Sequence, residues 1–352
     1  MAGRGTHPLA LSYLALFALL IVLAAGISFL GDPHAGDPVV VMDLQAASPP
    51  PRPAKPVAAQ QAVQAATPAE TPQPDSPPPR ITRQVYSGSA LLADPALVEN
   101  TPMGPLPRIA DNGMTPMRAY APPVTGDGHP RIAIVIGGLG ISAKATEAAL
   151  EGLPSGVTLA FAPNGADTQQ WVALARKRGH EVLLEIPMEP YDFPDSDPGP
   201  HTLRSGAGED ANTQRLTWAL TRFSGYAGVT NLLGGRFMAD ASSLEPVLTF
   251  LARRGLMFYD NGESVHSAGP DVATRAGISF AQSNSIIDKI PAAMEIDRRL
   301  SALEAEARAH GCASGSGKLY PLTIERVKNW AQGLSGRGFV LTPASAIVSQ
   351  PK

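Results

Sequence analysis

Short apolar runs that alternate with amphipathic stretches dominate the second half of the chain. The clearest run reads RIAIVIGGLGIS from Arg131 and stops at Gly137. An apolar run without alternating polar residues is typical of a strand buried on both faces of a parallel sheet. We therefore predict a first strand over residues 132–136, followed by a helix that begins at Ala143 with Ser142 as its N-cap.

An amphipathic stretch that ends in a basic residue and a glycine, followed by an apolar stretch, recurs along the rest of the chain. ARKRG precedes HEVLLEI, LARRG precedes LMFYD, and LSGRG precedes FVLT. Glycine suits a helix C′ position, where φ is positive, and the cations before it complement the helix dipole. The glycines in this position are Gly179, Gly255, Gly277, Gly311 and Gly338.

This alternation predicts an α/β fold in which helices cover a parallel sheet. With residues 157–162 and 226–231, the apolar runs give about eight strands in roughly 220 residues, which suits a distorted or incomplete (β/α) barrel. An open doubly wound sheet has the same periodicity, so the pattern leaves both architectures open. The longest interruption, residues 189–212, follows a strand end, where long turn-rich loops commonly contribute to a site.

The N-terminal region has a different pattern. Residues 9–30 form a run of 22 residues without a charge, long enough to cross a hydrocarbon core of about 30 Å as a helix. We predict a transmembrane signal anchor within residues 1–30, with a cleaved signal peptide as the alternative. Arg4 before the run and Asp32 after it favour a cytoplasmic N-terminus. A single-pass protein of the bacterial inner membrane would then have its C-terminal domain in the periplasm.

Composition divides the remaining chain into three parts. Residues 31–85 are rich in Pro and Ala, as in PPPRP and PDSPPPR, and predict a disordered linker. Residues 86–130 contain more large apolar residues and predict an extended, mostly non-regular arm packed on the domain at 131–348. The net charge of -3 at pH 7 gives no basic surface, so we expect no nucleic-acid partner.

The glycines at the end of the first strand also allow a nucleotide-binding interpretation. Gly138, Gly140 and Ala143 satisfy G-x-G-x-x-A between a strand and a helix, as in a dinucleotide-binding fingerprint. The fingerprint further requires an acidic residue at the end of the second strand, where the sequence reads FAPNGAD. Asp167 in that stretch is placed to cap a helix, so nucleotide binding is the weaker alternative.

Several longer stretches resemble a known family. RIAIVIGGLG, GHEVLLEIPMEP, DPGPHTL and GGRFMAD followed by LARRGLMFYDNGES are similar, in order and spacing, to divergent polysaccharide deacetylases, relatives of the NodB-like carbohydrate esterases. The resemblance covers residues 131–348. It implies a NodB-like distorted (β/α) barrel, a location outside the cytoplasmic membrane and a glycan as substrate class. Deacetylases of this type use a divalent metal held by Asp and His to activate water against an acetyl carbonyl.

The metal ligands that the resemblance implies are replaced in this chain. The family's two aspartates at the end of the first strand correspond to Gly137 and Gly138, and a family histidine corresponds to Leu232. Another position often occupied by histidine is Glu185, and the last strand-end stretch, SGSGKLYP, contains no histidine. Such a site lacks the ligands that zinc prefers. We therefore predict that the divalent metal is lost and that the protein uses no cofactor.

Polar residues remain at the predicted strand ends. Glu185, Asp260 and Asp288 are the catalytic candidates, because carboxylates from different strands converge on one face of a barrel. Paired carboxylates can hydrolyse glycosidic bonds without a metal. The substrate-binding candidates are Glu189, Tyr191, Asn231, Arg236, Asp240, His201 and His266. Structural alternatives are an N-cap role for Asp240, an ion pair for Arg236 and a turn for Asp260.

These features predict a membrane-anchored, divergent polysaccharide deacetylase-like protein that acts on or binds a cell-envelope glycan such as peptidoglycan. Because the usual metal ligands are absent, we expect its catalysis to be altered or absent. Two functions of different classes stay open, a residual carbohydrate hydrolase and a non-catalytic glycan-binding or envelope-scaffold protein.

Overall fold

The computed structural model describes residues 94–124 and 128–349. The predicted signal anchor within residues 1–30 and the predicted linker at 31–85 lie outside this part of the chain. Within the described residues, no helix combines the length and the apolar character needed to cross a membrane.

The centre of the described chain is a parallel sheet of nine strands, preceded by an antiparallel pair. The strands are β1 (Val98–Thr101), β2 (Gly104–Pro107), β3 (Arg131–Leu139), β4 (Thr158–Phe161), β5 (Val182–Met188), β6 (Gly228–Leu233), β7 (Met257–Asp260), β8 (Phe280–Gln282), β9 (Ser285–Ile286), β10 (Cys312–Lys318) and β11 (Val340–Thr342). The sheet order is β8-β7-β6-β5-β4-β3-β10-β9, and β11 pairs with the first half of β3.

The two ends of this order meet in one segment of chain. Only Ser283 and Asn284 separate β8 from β9, so the same segment pairs first with β7 and then with β10. The sheet therefore curves into a distorted barrel. This arrangement favours the predicted barrel over the open doubly wound sheet.

Helices connect the strands and cover the outside of the barrel. They are α1 (Pro116–Tyr120), α2 (Ala143–Gly152), α3 (Thr168–Lys177), α4 (Glu209–Leu220), α5 (Gly235–Ala239), α6 (Ala241–Arg253), α7 (Gly269–Ala276), α8 (Ala293–His310) and α9 (Pro321–Gln332). The regular alternation of these helices with parallel strands confirms the predicted α/β class.

Local sequence explains where several elements begin and end. Ser142 Oγ accepts a hydrogen bond from the Ala145 N–H at 3.3 Å, which confirms the predicted N-cap of α2. Gly311 follows α8 with a φ of +83°, as predicted for a C′ glycine. β3 extends beyond its predicted end to Leu139, because it pairs with β10 as far as Gly137 and with β4 at Leu139.

Alternate side chains of the strands pack on opposite faces of the sheet. Ile134 and Ile136 belong to a large core that also contains the apolar faces of the helices. Val135, Leu183 and Tyr259 belong to a second, smaller cluster inside the barrel. Burial on both faces explains why the strands appear in the sequence as continuous apolar runs.

Residues 94–124, which fall within the predicted arm, contain regular structure. They form the β1–β2 hairpin and the short helix α1, where we predicted a mostly non-regular segment. Leu97 and Leu106 are buried, whereas Met103 and Met114 are exposed. Thus only some of the apolar residues of this segment are buried.

This segment lies at the amino-terminal end of the barrel strands, where the helices end. The Arg176 guanidinium, in the last turn of α3, lies 4.5 Å from the centroid of the Tyr120 ring. Arg254, which caps α6, forms an ion pair with Glu99 at 2.6 Å. These contacts place the hairpin and α1 over the ends of β5, β6 and β7.

The chain after β11 closes the same end of the barrel. The Ala344 N–H donates to Thr158 Oγ1 at 3.0 Å, and the Ser345 N–H donates to Glu181 Oε2 at 3.1 Å. Ile347 packs against the inner apolar cluster. The amino-terminal end of the barrel is therefore covered both by the hairpin segment and by the C-terminal segment.

Candidate functional site

A cavity of about 310 Å³ opens at the carboxyl ends of β3, β5, β6 and β10. Ligands of parallel α/β barrels bind at this end of the strands. The apolar part of its wall consists of Val135, Ala160, Leu232, Leu233, Ile286 and Leu319. Its polar side chains include those of Glu185, Thr230, Asn231, Glu263, Lys318 and Tyr320. The wall of the cavity is therefore largely apolar, with a few polar groups.

Glu185 is the buried acid of this cavity. Its Oε1 accepts a hydrogen bond from the Gly138 N–H at 3.0 Å, and its buried Oε2 has no protein partner. Burial raises the pKa of Glu185 to about 8, against the opposing effects of the Gly138 N–H and the Lys318 charge. The carboxyl is therefore protonated at neutral pH, and the bond to Oε1 leaves the proton on Oε2.

Thr230 is a second buried polar group in the same wall. It lies directly beside Glu185 in the register of β5 and β6. Its hydroxyl oxygen is buried and has no protein partner. Buried polar groups are normally paired, because an unpaired one costs about 1–3 kcal/mol. Two neighbouring unpaired oxygens at one cavity indicate a place for a ligand or a water molecule.

An ion pair and an aromatic ring lie in the upper part of the cavity wall. Lys318 Nζ is 3.8 Å from Glu263 Oε1, and both side chains are partly exposed. Lys318 ends β10, in the stretch where the family resemblance leaves no histidine. Tyr320 is 44% exposed, so that its ring is available to a ligand at the mouth.

Asn231 shapes the wall rather than presenting a free amide. Its Nδ2 donates to Leu233 O and to Asn261 Oδ1, both at 2.7 Å, and its Oδ1 accepts the Asn261 N–H at 2.9 Å. These bonds fix the turn after β6 to the turn after β7. The predicted binding residue is thus in the cavity wall, with its amide already paired.

The residues at this cavity do not suit the divalent metal of the metal-dependent deacetylases. Gly137 and Gly138 have no side-chain donor, and Leu232 is apolar. Glu185 is the buried acid in the cavity lining, and its Oε1 already accepts the Gly138 N–H. No three His, Cys, Asp or Glu side chains among residues 94–124 and 128–349 are grouped to hold a metal ion.

The glycines do not offer a phosphate cradle either. A phosphate site needs free backbone N–H groups at the strand–helix turn. The Gly138 N–H donates to Glu185, and the Gly140 N–H donates to Thr146 Oγ1 at 3.0 Å. Gly138 also lies within β3 rather than in the turn. The glycines of the apparent dinucleotide fingerprint therefore do not form a phosphate-binding turn.

The other two catalytic candidates are held in hydrogen-bond networks. Asp260 lies away from the cavity lining, and its oxygens accept from Ser267, Gln282 and the Gly262 N–H. These contacts correspond to the predicted turn. Asp288 Oδ2 accepts from the Lys318 N–H at 2.7 Å and from Thr323 Oγ1 at 2.8 Å. Asp288 therefore ties β10 to α9 below Lys318.

Glu189 and Arg236 hold the long loop at residues 189–208. Glu189 Oε2 accepts the Ser205 N–H at 2.6 Å, and its Oε1 lies 3.6 Å from Arg236 Nη1. Tyr191 is 55% exposed, and its hydroxyl lies 3.4 Å from Ser264 Oγ. Of these three candidates, Glu189 is buried, whereas Tyr191 and Arg236 are exposed.

The remaining candidates lie outside the cavity lining. Asp240 accepts the N–H groups of Ser242 and Ser243, the predicted N-cap role for α6. His201 stacks on Trp218 with ring centroids 3.6 Å apart, and desolvation lowers its pKa. His266 is exposed in the loop after β7. The structure thus brings together Glu185 and Asn231 at the cavity and leaves the other eight predicted site residues outside its lining.

Sequence reasoning missed Thr230 and Lys318 as residues of the cavity. Thr230 is a β-branched residue inside an apolar strand, which gives no sign of an unpaired hydroxyl. Lys318 at the end of SGSGK was visible as a strand-end cation, but only the expected histidine was sought there. The alternation of inward positions in β6 could have indicated Thr230, two residues before Leu232.

Comparison with known proteins agrees with this architecture. A sequence model of the family described as divergent polysaccharide deacetylase matches residues 134–348. A solved structure of an uncharacterized protein from Agrobacterium tumefaciens is 38% identical, with a TM-score of 0.68, over 70% of this chain and 100% of that chain. The uncharacterized protein YibQ of Escherichia coli is 22% identical over 222 residues, 63% of this chain and 68% of its own length. This chain belongs to the divergent polysaccharide deacetylase family.

Proposed function

We propose that this protein binds a cell-envelope polysaccharide, such as peptidoglycan, through the cavity around Glu185, and that its catalysis is altered or absent. In this proposal residues 9–30 anchor the chain in the inner membrane and the barrel lies in the periplasm. The observation that carries the binding role is the pair of buried, unpaired oxygens of Glu185 and Thr230. A ligand that pairs with them forms hydrogen bonds that the free protein lacks.

The chemistry of this pair favours an uncharged ligand group with an acceptor oxygen. The protonated carboxyl of Glu185 donates through Oε2, and the Thr230 hydroxyl donates or accepts. The volume of about 310 Å³ is at the lower end for small-molecule sites. Such a cavity suits one sugar unit or one of its substituents.

The mouth of the cavity suits a longer chain. Tyr320 presents a partly exposed ring at the rim. Aromatic rings offer a flat apolar face together with a polar tip, a combination suited to ligands that are partly apolar and partly wet. We infer that one unit of a polysaccharide enters the cavity and the next unit lies against this ring.

Metal-free hydrolysis is the second candidate, because one observation favours it. A carboxyl with a pKa of about 8 is a competent general acid at neutral pH. Glu263, whose carboxylate is held by Lys318, supplies a second acid in the same cavity. Glycosidases use such a pair of carboxyl groups, one as acid and one as base or nucleophile.

A pull-down with purified peptidoglycan tests the binding role with the full chain. Glu185→Gln keeps a donor at the position of Oε2, because the Gln amide donates where the acid did. We expect binding within about threefold of wild type, whereas Glu185→Met, of similar size and without a donor, weakens binding about tenfold. Any glycosidic hydrolysis is lost in both variants, because neither side chain transfers a proton.

The matched control is Glu245→Met. Glu245 lies on α6, pairs with Arg275 at 2.9 Å and is 45% exposed. The control should bind like wild type. Equal binding by wild type and Glu185→Met would contradict the proposed role of the cavity. Release of soluble fragments by wild type but by neither Glu185 variant would favour the hydrolase.

Proteolysis of spheroplasts tests the proposed location. Protease added outside intact spheroplasts should degrade the barrel and leave an N-terminal fragment in the membrane fraction. Protection of the barrel would contradict the periplasmic location. A mature N-terminus near Gly26 would show that the segment is a cleaved signal peptide.

A further inference from the structure

We propose that Gly137 positions the acid of this site: Glu185 of β5 fills the volume that a side chain from β3 would occupy, and residue 137 is glycine for that reason. The inference deepens the proposed function and rests on it only for the ligand-binding readout. A β carbon built on Gly137 would overlap Glu185 Oε1 and lie 3.4 Å from the carboxyl carbon. The next atom, the Gly317 carbonyl oxygen, is 4.0 Å away. Among the residues that the structure describes, Glu185 alone therefore excludes a β carbon at this position.

The backbone itself does not require glycine at residue 137. Gly138 and Gly140 both have a φ of +89°, a conformation that other residues rarely adopt. The φ of Gly137 lies outside this left-handed region, and the residue pairs in register with β10, whereas the register toward β4 shifts between Ile136 and Leu139. A β carbon on Gly138 would meet only Leu319 Cβ, at 3.7 Å. The two adjacent glycines thus have different causes, backbone conformation at 138 and the Glu185 carboxyl at 137.

The hydrogen bond to β3 gives this packing a chemical consequence. The Gly138 N–H holds Glu185 Oε1 at 3.0 Å, which leaves Oε2 buried and without a protein partner, on the residue that pairs with Thr230. A methyl group at residue 137 would push Oε1 away from this N–H. Because the displaced atoms are the end of a flexible side chain, the strand can keep its pairing while the carboxyl moves toward the open cavity. The residue at 137 therefore determines whether Glu185 is a buried donor or a hydrated carboxylate.

A thermodynamic cycle on the full chain tests this coupling. The four proteins are wild type, Gly137→Ala, Glu185→Ala and the double variant, and urea unfolding gives their stabilities. We expect Gly137→Ala to destabilise wild type and to leave the stability of the Glu185→Ala background unchanged or increased. Equal losses in both backgrounds would overturn the proposal. If Gly137→Ala does not fold, a folded double variant supports the coupling, and an unfolded one beside a folded Glu185→Ala overturns it.

A second readout distinguishes positioning from simple destabilisation. The pH dependence of unfolding, compared with that of Glu185→Gln, reports the pKa of Glu185. In Gly137→Ala we expect this pKa to fall by at least one unit and peptidoglycan binding to weaken about tenfold. The control is Gly156→Ala, whose β carbon would lie 2.9 Å from Leu341 Cγ and which is outside the cavity lining.

The Gly156→Ala control separates an effect on stability from an effect on the position of the acid. Gly156→Ala should lose stability while the pKa of Glu185 and glycan binding stay as in wild type. An unchanged Glu185 pKa in Gly137→Ala would overturn the positioning role. The stability cycle and the pH profile require no glycan, so they stand even if peptidoglycan proves not to be the ligand.

Discussion

Two glutamates four residues apart in the chain mark the two ends of the barrel. Glu181 immediately precedes β5 and Glu185 lies within it, and both are buried with a pKa raised by desolvation. Around Glu181 the barrel is covered, and Thr158 and the Ser345 N–H donate to its Oε2. Around Glu185 the barrel is open, and the acid lines a cavity. Residue type, burial and direction of the pKa shift are the same at both ends.

A shifted carboxyl pKa therefore does not by itself identify a functional site. Each glutamate also has one oxygen without a protein partner. What distinguishes Glu185 is its place in the lining of the cavity and a neighbouring unpaired hydroxyl on Thr230. A perturbed pKa indicates a functional group when that group also lines a cleft. Where other parts of the protein cover the group, as at Glu181, the same shift indicates a structural role.

The largest expected effect is the contribution of Glu185, at the open end, to the pH dependence of stability. The pKa of Glu185 is about 8 in the folded chain and about 4.3 in an unfolded one. Between these values the folded state holds a proton that the unfolded state releases, so the unfolding free energy decreases by up to about 1.4 kcal/mol per pH unit. This contribution is complete below about pH 4 and is lost as the pH rises through about 8.

Urea unfolding of wild type and Glu185→Gln from pH 5 to pH 9 measures the contribution of Glu185 to this pH dependence. Glu181 is present in both proteins, so its own contribution cancels. The stability of wild type should decline more steeply than that of Glu185→Gln. Parallel curves would show that Glu185 is ionised in the folded protein.

Glu181→Ala should have the next largest effect, on stability alone. The change leaves Thr158 and the Ser345 N–H without their acceptor and creates a cavity at the closed end. We expect a loss of about 3 kcal/mol, measured by chemical unfolding at pH 7. Peptidoglycan binding by the folded fraction should match wild type. A selective loss of binding would contradict the separation of the two ends.

Thr230→Val should stabilise the protein while it weakens binding. Valine has the shape of threonine and removes a buried hydroxyl that has no protein partner. Removal of such a group stabilises by about 1 kcal/mol. The measurements are urea unfolding and the peptidoglycan pull-down. A destabilised variant would mean that the hydroxyl is paired in the free protein, for example by a bound water molecule.

Lys318→Met should have the smallest effect on stability. The lysine is 53% exposed and lies 3.8 Å from Glu263. Exposed ion pairs contribute little, so we expect a change of less than about 0.5 kcal/mol at moderate salt. A larger loss in unfolding experiments would indicate that Lys318 stabilises the cavity wall through contacts beyond this ion pair.

The sequence was informative about the fold because its signals are local. Strands buried on both faces appear as apolar runs, and a C′ glycine such as Gly311 announces the end of a helix. The extension of β3 through Gly137 and Gly138 was not predictable in the same way. Glycine ordinarily weakens a strand, and here the neighbouring strands continue the pairing, β10 at Gly137 and β4 at Leu139.

The site was only partly predictable because its defining contacts join distant parts of the chain. Glu185 was a candidate, yet nothing in the sequence separated it from Asp260, whose partners occupy its oxygens. The bond between Glu185 and Gly138 spans 47 residues. The register that sets Thr230 beside Glu185 likewise depends on the pairing of two strands. Packing of this kind is not encoded in any single stretch.

The placement of the hairpin segment has a mechanical consequence. The Asp94 N–H donates to the Tyr120 hydroxyl at 3.1 Å, so the chain joins the barrel at its closed end. A pulling force on the chain before Asp94 would load the contacts of Tyr120 with Arg176 and of Glu99 with Arg254. The strand ends that hold Glu185 are at the opposite side of the barrel and would carry little of this load. The domain can therefore be held under tension from one side while the geometry of its mouth stays unstrained.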